Sequence, residues 1–356
     1  MRKYFATLVS AAMMVMWSGC SSEVIEEGPD EHNGVIGFGT THVAKASKAL
    51  TNDNFSKFYV YGTYKPSNST APVIVFDGTE VYKDGTNWKY TEGGDRYWVP
   101  NESYDFYAYS CENTKFSSTD GNILNANLNE RVLNLRGVRS DETHQHDLTF
   151  AKITNQSRPA HSEGVTPEKV NLQFKHILSR VKFTIKTNFV ADGKYKVTIS
   201  DLKINNFRNV GDFEGAGEGA WNANSVDRYP KETTPSLTLK LAENNSWTVD
   251  GYNGTIETEP IYMIPFSYTA ANVELSFGIQ ITDKDGKDIL GRNVTARWQP
   301  NWQMGTSLNN EITIDGGRVG LDPIVFTGSL VSTGDDGWTD GGNGVLNGLT
   351  FDANSN

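Results

Sequence analysis

Residues 273–282 read VELSFGIQIT, and the alternation in them has no fault. Val273, Leu275, Phe277, Ile279 and Ile281 are apolar, while Glu274, Ser276, Gly278, Gln280 and Thr282 are small or polar. A period of two puts every apolar side chain on one face of an extended strand, so this segment must lie on a core. Val181, Phe183 and Ile185 alternate in the same way with Lys182, Thr184 and Lys186, as do Leu237, Leu239 and Leu241, and Val197 with Ile199. Phe58, Val60 and Gly62 face opposite Tyr59 and Tyr61, which predicts a strand buried on both sides. Between such runs stand Asp77-Gly78, Asp84-Gly85, Asp192-Gly193, Asp250-Gly251, Asn253-Gly254 and Asp285-Gly286. Asp or Asn before Gly supplies the positive φ that tight hairpins require. No segment keeps a helical period. Many short strands with regular turn signals fold as sandwiches or barrels, so the chain is expected to be all-β.

The 356 residues carry 43 acidic against 32 basic side chains, a net charge of −11. Phosphate binding needs a basic footprint, so nucleic acid is not an expected partner. The length suggests two domains. Residues 154–168 are polar, contain two prolines and break the strand rhythm, which places the junction there, between domains over 35–160 and 165–342. Residues 343–356 form a C-terminal tail whose last five, DANSN, are polar. Cys20 and Cys111 are the only cysteines. With Cys20 assigned below to lipid, no intramolecular disulfide can form, and Cys111 is expected to be a small buried hydrophobe.

The first residues differ from everything after them. Arg2 and Lys3 precede a mostly apolar run, Tyr4 to Trp17, too short for the roughly 20 residues a membrane-spanning helix needs. A basic start, a short apolar stretch and the small residues Ser18 and Gly19 read as an export signal over residues 1–19. With Cys20 following at once, the stretch resembles a bacterial lipobox, with Trp17 where an aliphatic residue usually stands. The resemblance implies that Cys20 is acylated and that its chains hold the protein on the outer membrane. Glu23, Glu26 and Glu27 follow on an acidic tether, residues 20–34, as in lipoproteins displayed at the cell surface.

Few residue groups invite chemistry. His144 and His146 would place two imidazoles on one side of a strand, with Asp141, Glu142 and Asp147 nearby. A histidine pair in a polar loop is more often simply solvated, and no second cluster supports a metal. Residues 283–288, DKDGKD, resemble half a calcium loop but lack its glycine and its bidentate glutamate, so a hairpin turn explains them. The same holds for GDDGWTDGG, residues 334–342. GAGEGAW, residues 215–221, lacks the ending of a phosphate loop and reads as a plain loop. Trp298 and Trp302 could stack on sugar rings if exposed, or fill a core if not. No nucleophile motif occurs. A surface glycoside hydrolase would need two carboxylates about 5–9.5 Å apart, which the sequence cannot single out. No enzyme, no cofactor and no metal are expected.

Four stretches carry a family resemblance: KFYVYGTY at 57–64, WKYTEGGDRYWVPNESYDFYAYS at 88–110, HDLTFAK at 146–152 and VNLQFKHILSRVKFTIKT at 170–187. Spread over most of the mature chain, they resemble the fimbrillins, subunits of the surface pili of anaerobic gut and oral bacteria. The resemblance implies two tandem β-sandwich (transthyretin-like) domains, a structural role for His176 and no enzymatic activity. It further implies export as an outer-membrane lipoprotein, then trimming by a trypsin-like protease just after the first strand. A strand from another pilin subunit then fills the opened groove, and the polymer, a cell-surface fimbrium, supports adhesion. In this sequence the first strand is GVIGFGTTHV, with Val35 and Ile36 or Phe38 as its apolar teeth. The cleavage sites after it are Lys48, before Ala49, and next Lys45. The donor candidate is DPIVFTGSLVS, residues 322–332, with Ile324, Phe326 and Leu330, and GVLNGLTF, residues 344–351, is the second. The competing expectation is an anchored glycan-binding surface lipoprotein that uses Trp298 or Trp302.

Overall fold

The computed structural model describes residues 34–39, 42–43, 55–111, 125–129, 131–159, 168–190, 194–222, 235–270, 272–317, 325–332, 338–341, 344–345 and 350–354. Among the described residues every regular element is a strand. Alternation translates directly into burial. The strand Val273–Asp283 buries Val273, Leu275, Phe277, Ile279 and Ile281, and pairs antiparallel with Tyr195–Asn205 on one side and Asp288–Trp298 on the other.

Strands assemble into two pairs of facing sheets and one two-stranded ribbon. The first sheet runs in the order His42–Val43, Gln173–His176, Leu148–Gln156, Ser103–Cys111, Lys57–Lys65, Val73–Asp84, Asn87–Lys89. Facing it are Ala220–Asn222, Val210–Glu214, Val132–Arg139 and Asn125–Asn129. In the second pair, one sheet centres on Ser179–Phe189 and Thr306–Gly317, parallel over ten residue pairs, with Tyr252–Glu257 and Val325–Ser332 outside them. Its partner sheet centres on Tyr195–Asn205, Val273–Asp283 and Asp288–Trp298.

Two departures from the sequence reading are physical. The strand Gln173–His176, beyond the polar stretch 154–168, pairs with Leu148–Gln156 before it, so the chain changes sheets at Ile177–Leu178. Val210–Glu214 then returns to pair with Val132–Arg139, sewing the later half of the chain into the first pair of sheets. The Asp/Asn-Gly pairs also divide. Asp84-Gly85 and Asp285-Gly286 turn hairpins, whereas Asp77-Gly78 and Asn253-Gly254 sit at register shifts inside strands. Asp250-Gly251 lies where the chain crosses from one sheet to its partner, and Asp192-Gly193 falls outside the described residues.

Three cores result. The second pair of sheets encloses Val181, Phe183 and Ile185 against Val197, Leu275 and Phe277. In the first pair, Tyr59, Tyr109 and Phe150 meet Leu133, Leu135 and Phe213. Cys111 is buried here as well, at 1% exposure. The third core lies on the other face of the first sheet, where Phe58, Val60, Phe76, Phe106 and Phe174 point. Among the described residues no regular sheet covers that face, and its cover is the site described next.

Candidate functional site

Ile36 and Phe38 close the open face of the first sheet. Their two-residue spacing sends both side chains inward, where they are 0% and 1% exposed, while Val35 points out at 39%. Phe38 meets Phe58, Phe76, Tyr90 and Phe106 edge-on, with ring centroids 5.7, 5.7, 6.1 and 6.2 Å away. Edge-to-face contact aligns the positive ring edge with the negative face of its neighbour, which adds to simple burial.

The backbone of this segment is held from both sides. Ile36 N–H donates to the Arg96 carbonyl at 2.7 Å, and Trp98 N–H donates to the Gly34 carbonyl at 3.2 Å. On the opposite side Gly39 N–H donates to the Val170 carbonyl at 2.9 Å, and Val170 N–H to the Gly37 carbonyl at 2.8 Å. Further on, His42 and Val43 run parallel to Gln173 and Phe174. Tyr90 reinforces the clasp: its hydroxyl donates to the Ile36 carbonyl at 2.9 Å and accepts from Arg96 N–H at 3.2 Å. Burial pushes its phenol above the ordinary value. Arg96 itself is occupied, because its guanidinium donates to the carbonyls of Val75, Gly93 and Gly94 and lies 6.0 Å from the Phe76 ring centroid.

Of the assigned site residues, Cys20, Lys45, Lys48 and Ile324 lie outside the described residues. Phe326 and Leu330 sit on Val325–Ser332, half-buried and packed on the core of the second pair of sheets. That strand pairs with Thr306–Gly317 of the same chain.

The histidine cluster comes apart. Residues 144–147 are not a strand, and His144 Nδ1 lies 2.6 Å from Asp141 Oδ1. Burial pushes the Asp141 carboxyl up, but hydrogen bonds from His144 and Thr143 outweigh this and hold it below the usual carboxylate value. Asp147 turns inward instead, 3.0 Å from the buried His176. Among the described residues no group of His, Cys, Asp and Glu is arranged to hold a metal. In the DKDGKD segment Asp283 Oδ1 accepts from the N–H groups of Asp285 and Lys287, both at 2.9 Å, which makes it a hairpin turn. GAGEGAW links Val210–Glu214 to Ala220–Asn222 as a loop. Trp298 and Trp302 are each 2% exposed in the core, so neither presents a ring face to a sugar.

The sequence offered Val35 and Ile36 or Phe38 as teeth; Ile36 and Phe38 are the buried pair, Val35 is not one, and the walls were missed. Tyr90, Arg96–Trp98 and Val170–Phe174 reach the site from distant parts of the chain, each through one or two contacts that leave no period. The density of aromatic residues in 88–98 was the available signal.

Comparison with known proteins places this architecture. The family model described as fimbrillin-like matches residues 43–329. The chain belongs to the fimbrillin-like family. A solved fimbrial protein from Bacteroides vulgatus is similar in fold, with a TM-score of 0.62 and 18% identity, over 86% of this chain and 99% of that one. The fimbrial anchor protein Mfa2 from Porphyromonas gingivalis is similar with a TM-score of 0.36 and 10% identity, over 82% of this chain and 95% of that one. No curated protein matches the chain. Within this fimbrillin-like chain, the clasped segment 34–43 is the candidate functional element.

Proposed function

We propose that the chain is a structural subunit of cell-surface fimbriae, which polymerises by strand exchange and supports adhesion. One observation carries the reading: a short N-terminal segment, preceding Lys45 and Lys48, is the cover over Phe58, Phe76, Tyr90 and Phe106. Cutting after Lys48 severs residues 34–43 from the rest of the chain and frees them to leave. Their departure wets the aromatic face and opens the backbone groups of Arg96–Trp98 and Val170. An extended strand from a neighbouring subunit restores both kinds of contact, which is β-strand addition. Each large apolar side chain reburied contributes about 1.5–3 kcal/mol, so a strand with two or more makes a durable joint.

In this reading Cys20 delivers the subunit to the outer membrane by lipid, and a trypsin-like protease at the surface removes lipid and cover together. The occupied guanidinium of Arg96 makes that residue a poor substrate, leaving Lys48, then Lys45, as the sites.

The test is the N-terminus of the protein in sheared surface material, read by mass spectrometry beside a denaturing gel of unboiled samples. A start at Ala49 or Ala46 in a heat-sensitive ladder is the expected result. A lipidated start at Cys20 in a monomer would refute polymerisation.

A further inference from the structure

Residues 140–145 do more than turn the chain between Val132–Arg139 and Leu148–Gln156: they build one wall of a crevice. Asp141 Oδ1 accepts from the Thr143 N–H at 3.0 Å and from its hydroxyl at 2.9 Å, and it lies 2.6 Å from His144 Nδ1. Gln145 then spans to the other half of the molecule. Its Oε1 accepts from Tyr262 N–H at 2.9 Å, while its Nε2 donates to the Asp141 carbonyl at 3.2 Å. The Ser140 hydroxyl donates to the Tyr262 carbonyl as well. The loop is thereby fixed against Ile261–Met263, a strand that pairs with Ser179–Phe189 in the second pair of sheets.

A cavity of about 210 Å³ opens where this loop meets the second pair of sheets. Its floor is apolar, formed by the buried side chains of Leu237, Ile261 and Tyr262. Its rim is charged, with the two signs on different walls. Glu142 comes from the loop, and Lys240 stands just beyond strand Ser236–Thr238 of the second pair. Glu259 lies beside Lys240, its N–H donating to the Lys240 carbonyl at 2.8 Å. Among the described residues neither Lys240 nor Glu142 enters an ion pair. Ligand pockets favour such junctions, where an apolar lining binds and a few polar groups orient.

Three features select the ligand. The cavity is smaller than the roughly 300–1,000 Å³ that drug-sized molecules occupy, so the ligand is small. The floor selects an apolar body. An ammonium and a carboxylate on facing walls select a molecule that carries both signs itself, because a singly charged one leaves one wall unanswered. We propose that the crevice binds a free α-amino acid with a branched apolar side chain. Its carboxylate meets Lys240, its ammonium meets Glu142, and its side chain lies on Leu237, Ile261 and Tyr262. The proposal stands apart from polymerisation, since none of these residues belongs to the clasped segment 34–43 or to its walls.

Isothermal titration of the full-length chain tests this. L-Leucine should bind, and glycine should bind at least about tenfold more weakly, because it has no side chain to bury. N-acetyl-L-leucine lacks the ammonium and L-leucinamide lacks the carboxylate, so each should also bind at least about tenfold more weakly. These two blocked forms stand for the ends of a peptide. Lys240→Gln should weaken L-leucine by about the same factor and leave L-leucinamide unchanged. Glu142→Gln should weaken L-leucine and leave N-acetyl-L-leucine unchanged. Both substitutions fall on exposed side chains, so the fold tolerates them. No heat from L-leucine up to about 10 mM overturns the proposal. A blocked form that binds as tightly as L-leucine also overturns it, by making the crevice a site for a peptide end. So does glycine binding equal to that of L-leucine, or an L-leucine affinity that survives both substitutions.

Discussion

Replacing Phe38 by alanine tests whether the N-terminal segment is truly part of the core. A Phe→Ala change at a buried site costs about 3–5 kcal/mol, depending on how far the site collapses. Collapse is blocked here, because Phe58 and Phe106 sit on the paired strands Lys57–Lys65 and Ser103–Cys111. The ring is 1% exposed and touches four others edge-on, each pair worth about 0.5–1.5 kcal/mol beyond area. The expected cost is therefore near the upper end, about 5 kcal/mol. Urea denaturation followed by tryptophan fluorescence reports it, since Trp88 and Trp98 lie in the same core. Val35→Ala, 39% exposed, is the control and should stay within about 0.5 kcal/mol. After trimming at Lys48 the same Phe38→Ala substitution should have no effect, because its residue is gone. A cost below about 1 kcal/mol in the uncleaved chain would mean that the segment is a surface flap, and cutting it off would open nothing.

At alkaline pH, burial pushes the Tyr61 and Tyr104 phenols from 10.0 up to about 12. A pKa raised on folding contributes stability that is complete below the unfolded value and is lost as pH climbs through the folded one. Each group should therefore remove about 1.4 kcal/mol per pH unit between pH 10 and 12. Denaturation midpoints and phenolate absorbance measure this, and phenols that ionise at pH 10 in an intact fold would contradict it. Asp212→Ala should cost about 3 kcal/mol in denaturant unfolding, because the buried carboxylate satisfies Gly137 N–H at 2.9 Å and Arg136 at 3.2 Å. In the trimmed chain Cys111 should resist thiol reagents until the fold opens, and rapid labelling in native buffer would contradict its 1% exposure. Saccharides should leave tryptophan fluorescence unquenched at Trp298 and Trp302, and quenching lost on their substitution would restore a glycan site there.

Most of the fold was legible because burial on one face writes a period of two into a strand. Val273–Asp283 shows this directly, and Lys57–Lys65 shows the complementary case, where both faces are covered and apolar residues run on. The chain's turns were less legible for a definite reason. A tight hairpin and a β-bulge both use a residue with positive φ, so an Asp-Gly pair satisfies either. Gly85 and Gly286 have φ of 60° and 79° in hairpins, and Gly78 has 70° in a bulge inside Val73–Asp84. Only the pairing partner decides between them, and pairing is long-range. The return of Val210–Glu214 to Val132–Arg139 was invisible on the same ground.

The candidate site sits between these cases. Ile36 and Phe38 announce themselves locally, whereas Arg96, Trp98 and Val170 become walls only through single bridges across the fold. That sparse backbone attachment suits the proposed role. A full ladder would hold the segment after the chain was cut, while four bridging backbone bonds at a net of about 1 kcal/mol each, with a two-residue pairing to Gln173–Phe174, are modest. Before cleavage, a short tether keeps the cover at an effective concentration of about mM, so two buried side chains suffice to hold it. Cleavage after Lys48 removes that advantage at once, and the freed segment must compete from dilute solution. In the proposed assembly, once its tether is cut the cover holds no concentration advantage over a donor strand from another subunit, and exchange toward the polymer would need no change in the groove.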